Sequence, residues 1–237
     1  MVTIFKNFNE VVEHKSIPTI LEEIKTGKYL HAIVYLRKSL LENKLEAYNK
    51  AKKSLPAFTP SGKFIDGRKV ELLAEYSNFM ILDIDKLSPE ILQKAIVLVN
   101  NCEFTFASFI SPSGNGLKIL VKTENLKTEH KETFLLIQTH YEALLKLEID
   151  KSGKDISRLC FYSHDDNLYL NEDSKVFKIQ NEIEIIAPIV IDSQKLKTET
   201  ATENWDLIYN HCIKFTEKKV QFIDAAGTYL YINWLVI

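Results

Sequence analysis

The chain is poor in the residues that mark disulfide-rich, fibrous and low-complexity proteins. It carries only three cysteines, Cys102, Cys160 and Cys212, widely spaced and with no C-x-x-C pair. That pattern excludes a disulfide framework and a thiolate zinc site, so the three read as buried or unreactive thiols. Seven glycines and six prolines among 237 residues are too few for a collagenous or low-complexity chain. No apolar run approaches the ~20 residues needed to cross a bilayer. The opening MVTIFKNFNE is charged and has no apolar h-region of a secretory signal. These absences lead to the expectation of a cytoplasmic protein without a membrane partner. No sign of charge dominates either, since the net charge is −2.

What is present fits a globular α+β protein. Hydrophobic residues make up 46% and charged residues 26%, which excludes intrinsic disorder and a coiled coil. The length suits one large domain, or a domain with an appendage. Pro18 can open a helix through TILEEIK that Gly27 ends, and Ile33, Leu36, Leu40, Leu41, Leu45 and Tyr48 recur at helical spacing between Tyr29 and Lys53. LPAFTPSG reads as a loop. NFMILDID reads as a buried strand, Ser88-Pro89-Glu90 as a cap and first turn of a helix to about Asn100, FTFASFIS and LKILVK as strands joined by the turn SPSGNG, and Thr128–Lys146 as a helix. Short strands are expected at Arg158–Tyr162, Leu168–Leu170 and Val176–Ile179. The expected architecture is α+β, a mixed β-sheet core with flanking helices, an N-terminal helical portion and a C-terminal helical tail.

Three segments carry chemistry. Asp83 and Asp85 sit at positions i and i+2 of a strand end and so project from one face, about 6.6 Å apart along the strand. Two carboxylates this close repel unless a proton or cation joins them, and Mg²⁺ or Mn²⁺ prefers oxygen ligands. The plainer alternative is a pair of aspartates capping the next turn. Ser111-Pro112-Ser113-Gly114-Asn115-Gly116-Leu117-Lys118 holds two of the seven glycines, and its backbone N–H groups, with Lys118, can face an anion. An ordinary hairpin loop has the same composition. Asp150, Asp155 and Arg158 precede an apolar strand, where a third carboxylate and a phosphate-pairing arginine would serve phosphoryl or nucleotidyl transfer. A surface Asp–Arg pair is the alternative there. Between Arg37 and Lys69, nine basic residues stand against three acidic ones, net +6. Lys50, Lys52, Lys53, Lys63 and Arg68 of this stretch can track a nucleic-acid backbone, although such runs are more often a solvated face.

In combination, LPAFTPSGKF, FMILDID, SFISPSGNGLKI and IDKSGKDISRLCFYSHDDNLYLN resemble the VirE N-terminal / primase-like family of bacterial mobile elements and phages, within the archaeo-eukaryotic primase (primase-polymerase) superfamily. The likeness spans about Leu55 to Asn171. It implies a DNA primase or polymerase that transfers nucleotides onto a 3′-hydroxyl with two Mg²⁺ or Mn²⁺ ions. Asp83, Asp85 and Asp150 would be the metal ligands, the family pattern favouring Asp150 as the third carboxylate over the alternative, Asp155. Ser111, Ser113, Gly114, Asn115, Gly116, Lys118 and Arg158 would hold the nucleotide. Lys118 stands where many relatives have a histidine, and that departure leaves open a catalytically inactive nucleic-acid-binding module of the same fold. The implied partners are single-stranded DNA or primer-template, nucleoside triphosphates, and a helicase or other replication protein. The expected organisation is an N-terminal portion (1–54), a catalytic core (55–190), a linker (191–204) and a helical segment (205–237) read as the start of a piece that continues in a longer protein.

Overall fold

The computed structural model describes residues 1–179 and two short strands near the C-terminus. The expected linker, most of the segment from Trp205, and Cys212 lie outside the described residues. The chain divides into two units, Met1–Asn181 and Glu182–Ile237.

The first unit opens with a hairpin, β1 (Val2–Lys6) and β2 (Glu10–Lys15), followed by α1 (Ile17–Lys25). Ser16 caps α1 by accepting from the Thr19 amide at 3.2 Å, and Pro18 sits in the first turn, where its missing N–H costs nothing. The helical run expected from Tyr29 to Lys53 is two helices, α2 (Leu30–Leu41) and α3 (Leu45–Ser54). Asn43 breaks it with a left-handed φ of 54°, a conformation asparagine tolerates. The loop expected at LPAFTPSG instead contains β3 (Ala57–Phe58) and leads into β4 (Gly62–Phe64), which pairs with β5 (Leu73–Tyr76). β3 is set by partners distant in sequence, since it lies between β1 and the later β9 (Cys160–Phe161) in the order β2-β1-β3-β9. The N-terminal residues are therefore built into the same unit as the central segments.

The central sheet follows the expected pattern closely. It contains β6 (Phe79–Ile84), α4 (Pro89–Asn100), β7 (Thr105–Ile110), β8 (Leu117–Glu124) and α5 (His130–Leu145). Ser88 caps α4 through the Ile91 amide. β10 (Tyr169–Leu170) flanks β7, and β11 (Phe177–Lys178) pairs in parallel with the end of β8. One face, with Met80, Leu82 and Ile84 beside Leu117, Ile119 and Val121, packs under α4 and α5. The other, with Ile81, Phe106 and Leu120, packs against α1, β1 and β3. Burial on both faces explains why β6 reads as a continuous apolar run. In the second unit β12 (Phe222–Ile223) pairs antiparallel with β13 (Tyr229–Leu230), so these four residues of the expected helical segment are strand. Among the described residues no helix is long and apolar enough to cross a membrane.

Candidate functional site

β8 pairs antiparallel with both β6 and β7. The outer two strands are therefore parallel to each other and linked through α4, a split β-α-β arrangement. Its consequence is that the carboxyl ends of β6 and β7 lie at one edge of the sheet with the start of β8. Asp83, Asp85, the Ser111–Gly116 loop and Lys118, separate in sequence, meet there. Asp83 stands directly opposite Lys118 in the register, so their side chains share a face.

They form an ion pair, Lys118 Nζ donating to Asp83 Oδ2. Asp83 is 8% exposed, and its Oδ1 is buried with no partner among the described residues. Burial alone would pull the Lys118 ammonium down, but the Asp83 carboxylate, with a further contribution from Asp85, holds its pKa above the ordinary 10.5. Arg158 Nη2 lies 3.7 Å from the same Asp83 oxygen. Asp85, just beyond the strand, is exposed.

The third segment is tied to β6 through the backbone, the Asp150 amide donating to the Asp83 carbonyl at 2.9 Å. The Asp150 carboxylate is heavily used. Oδ1 accepts from the Ser152 amide at 2.9 Å, and Oδ2 accepts from Ser152 Oγ at 2.5 Å and Arg158 Nη2 at 2.8 Å. Partial burial would raise its pKa, but the Ser152 hydrogen bonds and then Arg158 hold it below the usual 3.8. Asp155 Oδ1 accepts from the amide and the hydroxyl of Ser157, both at 2.9 Å, and Asp155 is the member of this pair that lines the cavity. Among the described residues no group of three or more His, Cys, Asp or Glu side chains is gathered for a metal ion. What does fit a divalent cation is the unpartnered Asp83 Oδ1 with the exposed Asp85 beside it, two hard oxygen donors of the kind Mg²⁺ takes alongside a ligand's phosphates.

The loop between β7 and β8 is a closed turn. The Ser111 amide donates to the Gly116 carbonyl at 2.8 Å, and the Ser111, Ser113 and Asn115 side chains bond in series at 3.0 and 2.6 Å. Gly116 is there for close approach, because a Cβ would stand 2.6 Å from the Ile84 carbonyl, 2.9 Å from Ser111 Oγ and 3.1 Å from Asp85 Oδ1. Gly114 has φ of 83° and rests against the Arg37 side chain. Arg37, half-buried on α2, donates to the carbonyls of Pro112 at 3.2 Å, Ser111 at 3.2 Å and His164 at 3.0 Å.

Part of this assembly opens onto a cavity of about 360 Å³, within the usual range for small-ligand sites; Asp150, Gly114, Asn115 and Gly116, expected at the site, are not among its lining residues. Lys52, Arg68, Lys118, Lys154 and Arg158 line it against Asp83, Asp85 and Asp155, an excess of two positive charges. Ser111 and Ser113 line it too, as do Phe8 and Phe161. Of the expected nucleic-acid contacts, Lys52 and Arg68 reach the cavity. Lys50 instead faces a separate groove beside Tyr29 and Tyr35, Lys53 is exposed on α3, and Lys63 is half-buried on β4. Phe8 lacked any motif, Lys154 stood beside Asp155 in the third segment without being singled out, and Arg37 stood in the sequence only as the first member of a basic stretch. Their places depend on long-range packing that no local pattern encodes.

Fold and site together define an α+β domain whose cavity, at the carboxyl edge of a split β-α-β sheet, combines an acidic pair with a basic rim. Residues 50–170 match the family model described as BT4734-like, N-terminal domain, and the chain belongs to that family. The match contains the acidic pair, the Ser/Gly loop and Arg158, while Phe8 and Arg37 precede it. No curated protein and no solved structure matches the chain.

Proposed function

We propose that this domain is a primase-polymerase-like nucleotidyltransferase of a mobile-element or phage replication system. The observation that carries the reading is the convergence at one sheet edge of Asp83, with a vacant Oδ1, and Asp85 against a rim of Lys118, Arg158, Arg68 and Lys52. A nucleoside triphosphate has the complementary chemistry, a polyanion that travels with a divalent cation. Asp83 and Asp85 are the residues to hold Mg²⁺ or Mn²⁺, which when bound offsets charge on the phosphates and acidifies a hydroxyl. Arg158, oriented by Asp150, and the cations of Arg68 and Lys52 bind the phosphates and favour the charge that develops on them. In the transfer, the oxygen of a 3′-hydroxyl bonds to the α-phosphorus and the α–β phosphoanhydride bond breaks. Pyrophosphate leaves, and the hydroxyl proton passes to water. Lys52 of α3, at the cavity, and the exposed Lys53 next to it suit a single-stranded DNA or primer-template backbone.

One feature favours a second reading, a binding module of the same fold without turnover. Lys118 already occupies one oxygen of Asp83, which competes with a cation for that carboxylate. Incorporation of labelled deoxynucleotides and ribonucleotides on single-stranded DNA, with and without a primer and with Mg²⁺ or Mn²⁺, separates the two. Asp85→Asn is the control, since Asp85 is exposed and the substitution is expected to leave the fold intact. Product that vanishes in Asp85→Asn supports the transferase. Nucleotide and single-strand binding without product supports the module.

A further inference from the structure

We infer that Phe8 and Phe161 are the base-recognising wall of this cavity, so that its ligand is a nucleotide held by its base as well as by its phosphates. The inference rests on the nucleotide reading above and adds what that reading leaves open, which part of the ligand is recognised and by what.

Phe8 lies in the turn between β1 and β2 with φ of 70°, next to Asn7 at 52°. Asparagine and glycine accept the left-handed region readily, whereas a bulky side chain there is an outlier. The ring is not placed there to fill the core, since it stays half-exposed. Its backbone is nonetheless held. Arg68 Nε donates to the Phe8 carbonyl at 3.1 Å, and Arg68 Nη1 donates to the Ser157 carbonyl at 2.7 Å. One guanidinium thus ties the hairpin turn to the segment leading into β9. Held in this way, Phe8 meets the Phe161 ring edge to face, with centroids 5.6 Å apart at 88°.

Phe161 is oriented by strand alternation. Its neighbours Cys160 and Tyr162 are buried, which turns Phe161 to the opposite side, towards the cavity. Like Tyr48 and Ala51, it packs against the cluster of Ile33, Leu36 and Leu55, and Lys52 Nζ stands 6.0 Å from its centroid. A strained aromatic fastened by an arginine, a second aromatic on a strand edge and a basic rim all line the same 360 Å³ space. A cavity for inorganic phosphates or a cation alone gains nothing from two aromatic rings. A nucleotide uses both ends, and because every base has a π-face this wall favours bases without choosing strongly among them.

The test is the affinity of the full chain, with Mn²⁺ present, for ATP and for inorganic tripolyphosphate. The wild type is expected to prefer ATP. Phe8→Asn relieves the backbone outlier, so it keeps or raises the melting temperature while weakening ATP roughly 5- to 100-fold, the range seen when stacking aromatics are removed. Tripolyphosphate affinity is expected to stay within twofold, and Phe8→Tyr keeps the ATP preference. Equal weakening of both ligands, or an undiminished ATP preference in Phe8→Asn, overturns the inference while leaving the phosphate site standing. A wild type that binds neither ligand overturns the nucleotide reading and this inference together.

Discussion

Removing the charge of Asp83 is expected to destabilise the domain more than removing its partner, Lys118. The two form a pair with side chains 10% and 11% exposed, and deleting one member of a buried pair costs about 3–5 kcal/mol because the other charge is stranded. The two deletions differ in what remains. Lys118→Met leaves the Asp83 carboxylate with Arg158 Nη2, 3.7 Å away and partly exposed, so the cost falls to about 1–3 kcal/mol. Asp83→Asn leaves the Lys118 ammonium with only the exposed Asp85 nearby, while Arg158 stays paired with Asp150, so the cost comes from the buried Lys118 and stays near the full ~3–5 kcal/mol. The double variant is expected to lose less than the two single losses together, with a coupling of about 1.5 kcal/mol or more. Urea unfolding followed by far-ultraviolet circular dichroism measures this. Tryptophan fluorescence does not suit it, because Trp205 and Trp234 both lie in the second unit. Equal costs for the two single variants, or strict additivity in the double, would refute the argument.

Three further outcomes are expected. Arg37→Met removes the donor to three carbonyls around the Ser/Gly loop; with water replacing part of the loss, it lowers stability by about 2 kcal/mol and weakens tripolyphosphate binding, read by melting temperature and titration calorimetry. Gly116→Ala pushes a methyl into the Ile84 carbonyl and Ser111 Oγ and costs about 1–3 kcal/mol in the same unfolding assay. Burial lowers the pKa of His14, His130 and His140 below the ordinary 6.5, so as pH falls the unfolded chain takes up protons that the native one does not. Their contribution to stability is complete above about pH 6.5 and is lost as pH falls through the native values. Buffered unfolding at about pH 7.5 and pH 5.5 should show the lower urea midpoint in acid, and a flat profile would contradict the assignment.

The central sheet was legible because its signals are local. β6 is a short apolar run, Ser88-Pro89 caps α4, and SPSGNG turns between two strands. The pairing of Asp83 and Asp85 at a strand end was visible from the period of two. The cross-strand register that puts Lys118 on Asp83 was not, because register depends on which strands meet. The same reason hid β3, two residues long and flanked by prolines, whose pairing with β1 and β9 joins segments far apart in sequence. The family pattern favours Asp150 as the third carboxylate, and the structure separates the two candidates differently. Asp150 is used by Ser152 and Arg158, while Asp155 faces the cavity. Phe8 was invisible for a different reason, since a phenylalanine in a turn breaks the local rule that turn prediction relies on.

The account stands most directly on whether the acidic pair and the basic rim hold a nucleotide and a cation together. Calorimetric titration of the full chain with ATP, in the presence and absence of Mn²⁺, measures this, with Asp85→Asn alongside. The account predicts ATP binding that Mn²⁺ strengthens in the wild type and no such strengthening in Asp85→Asn. ATP binding indifferent to Mn²⁺, or a Mn²⁺ effect that survives the loss of Asp85, would contradict it.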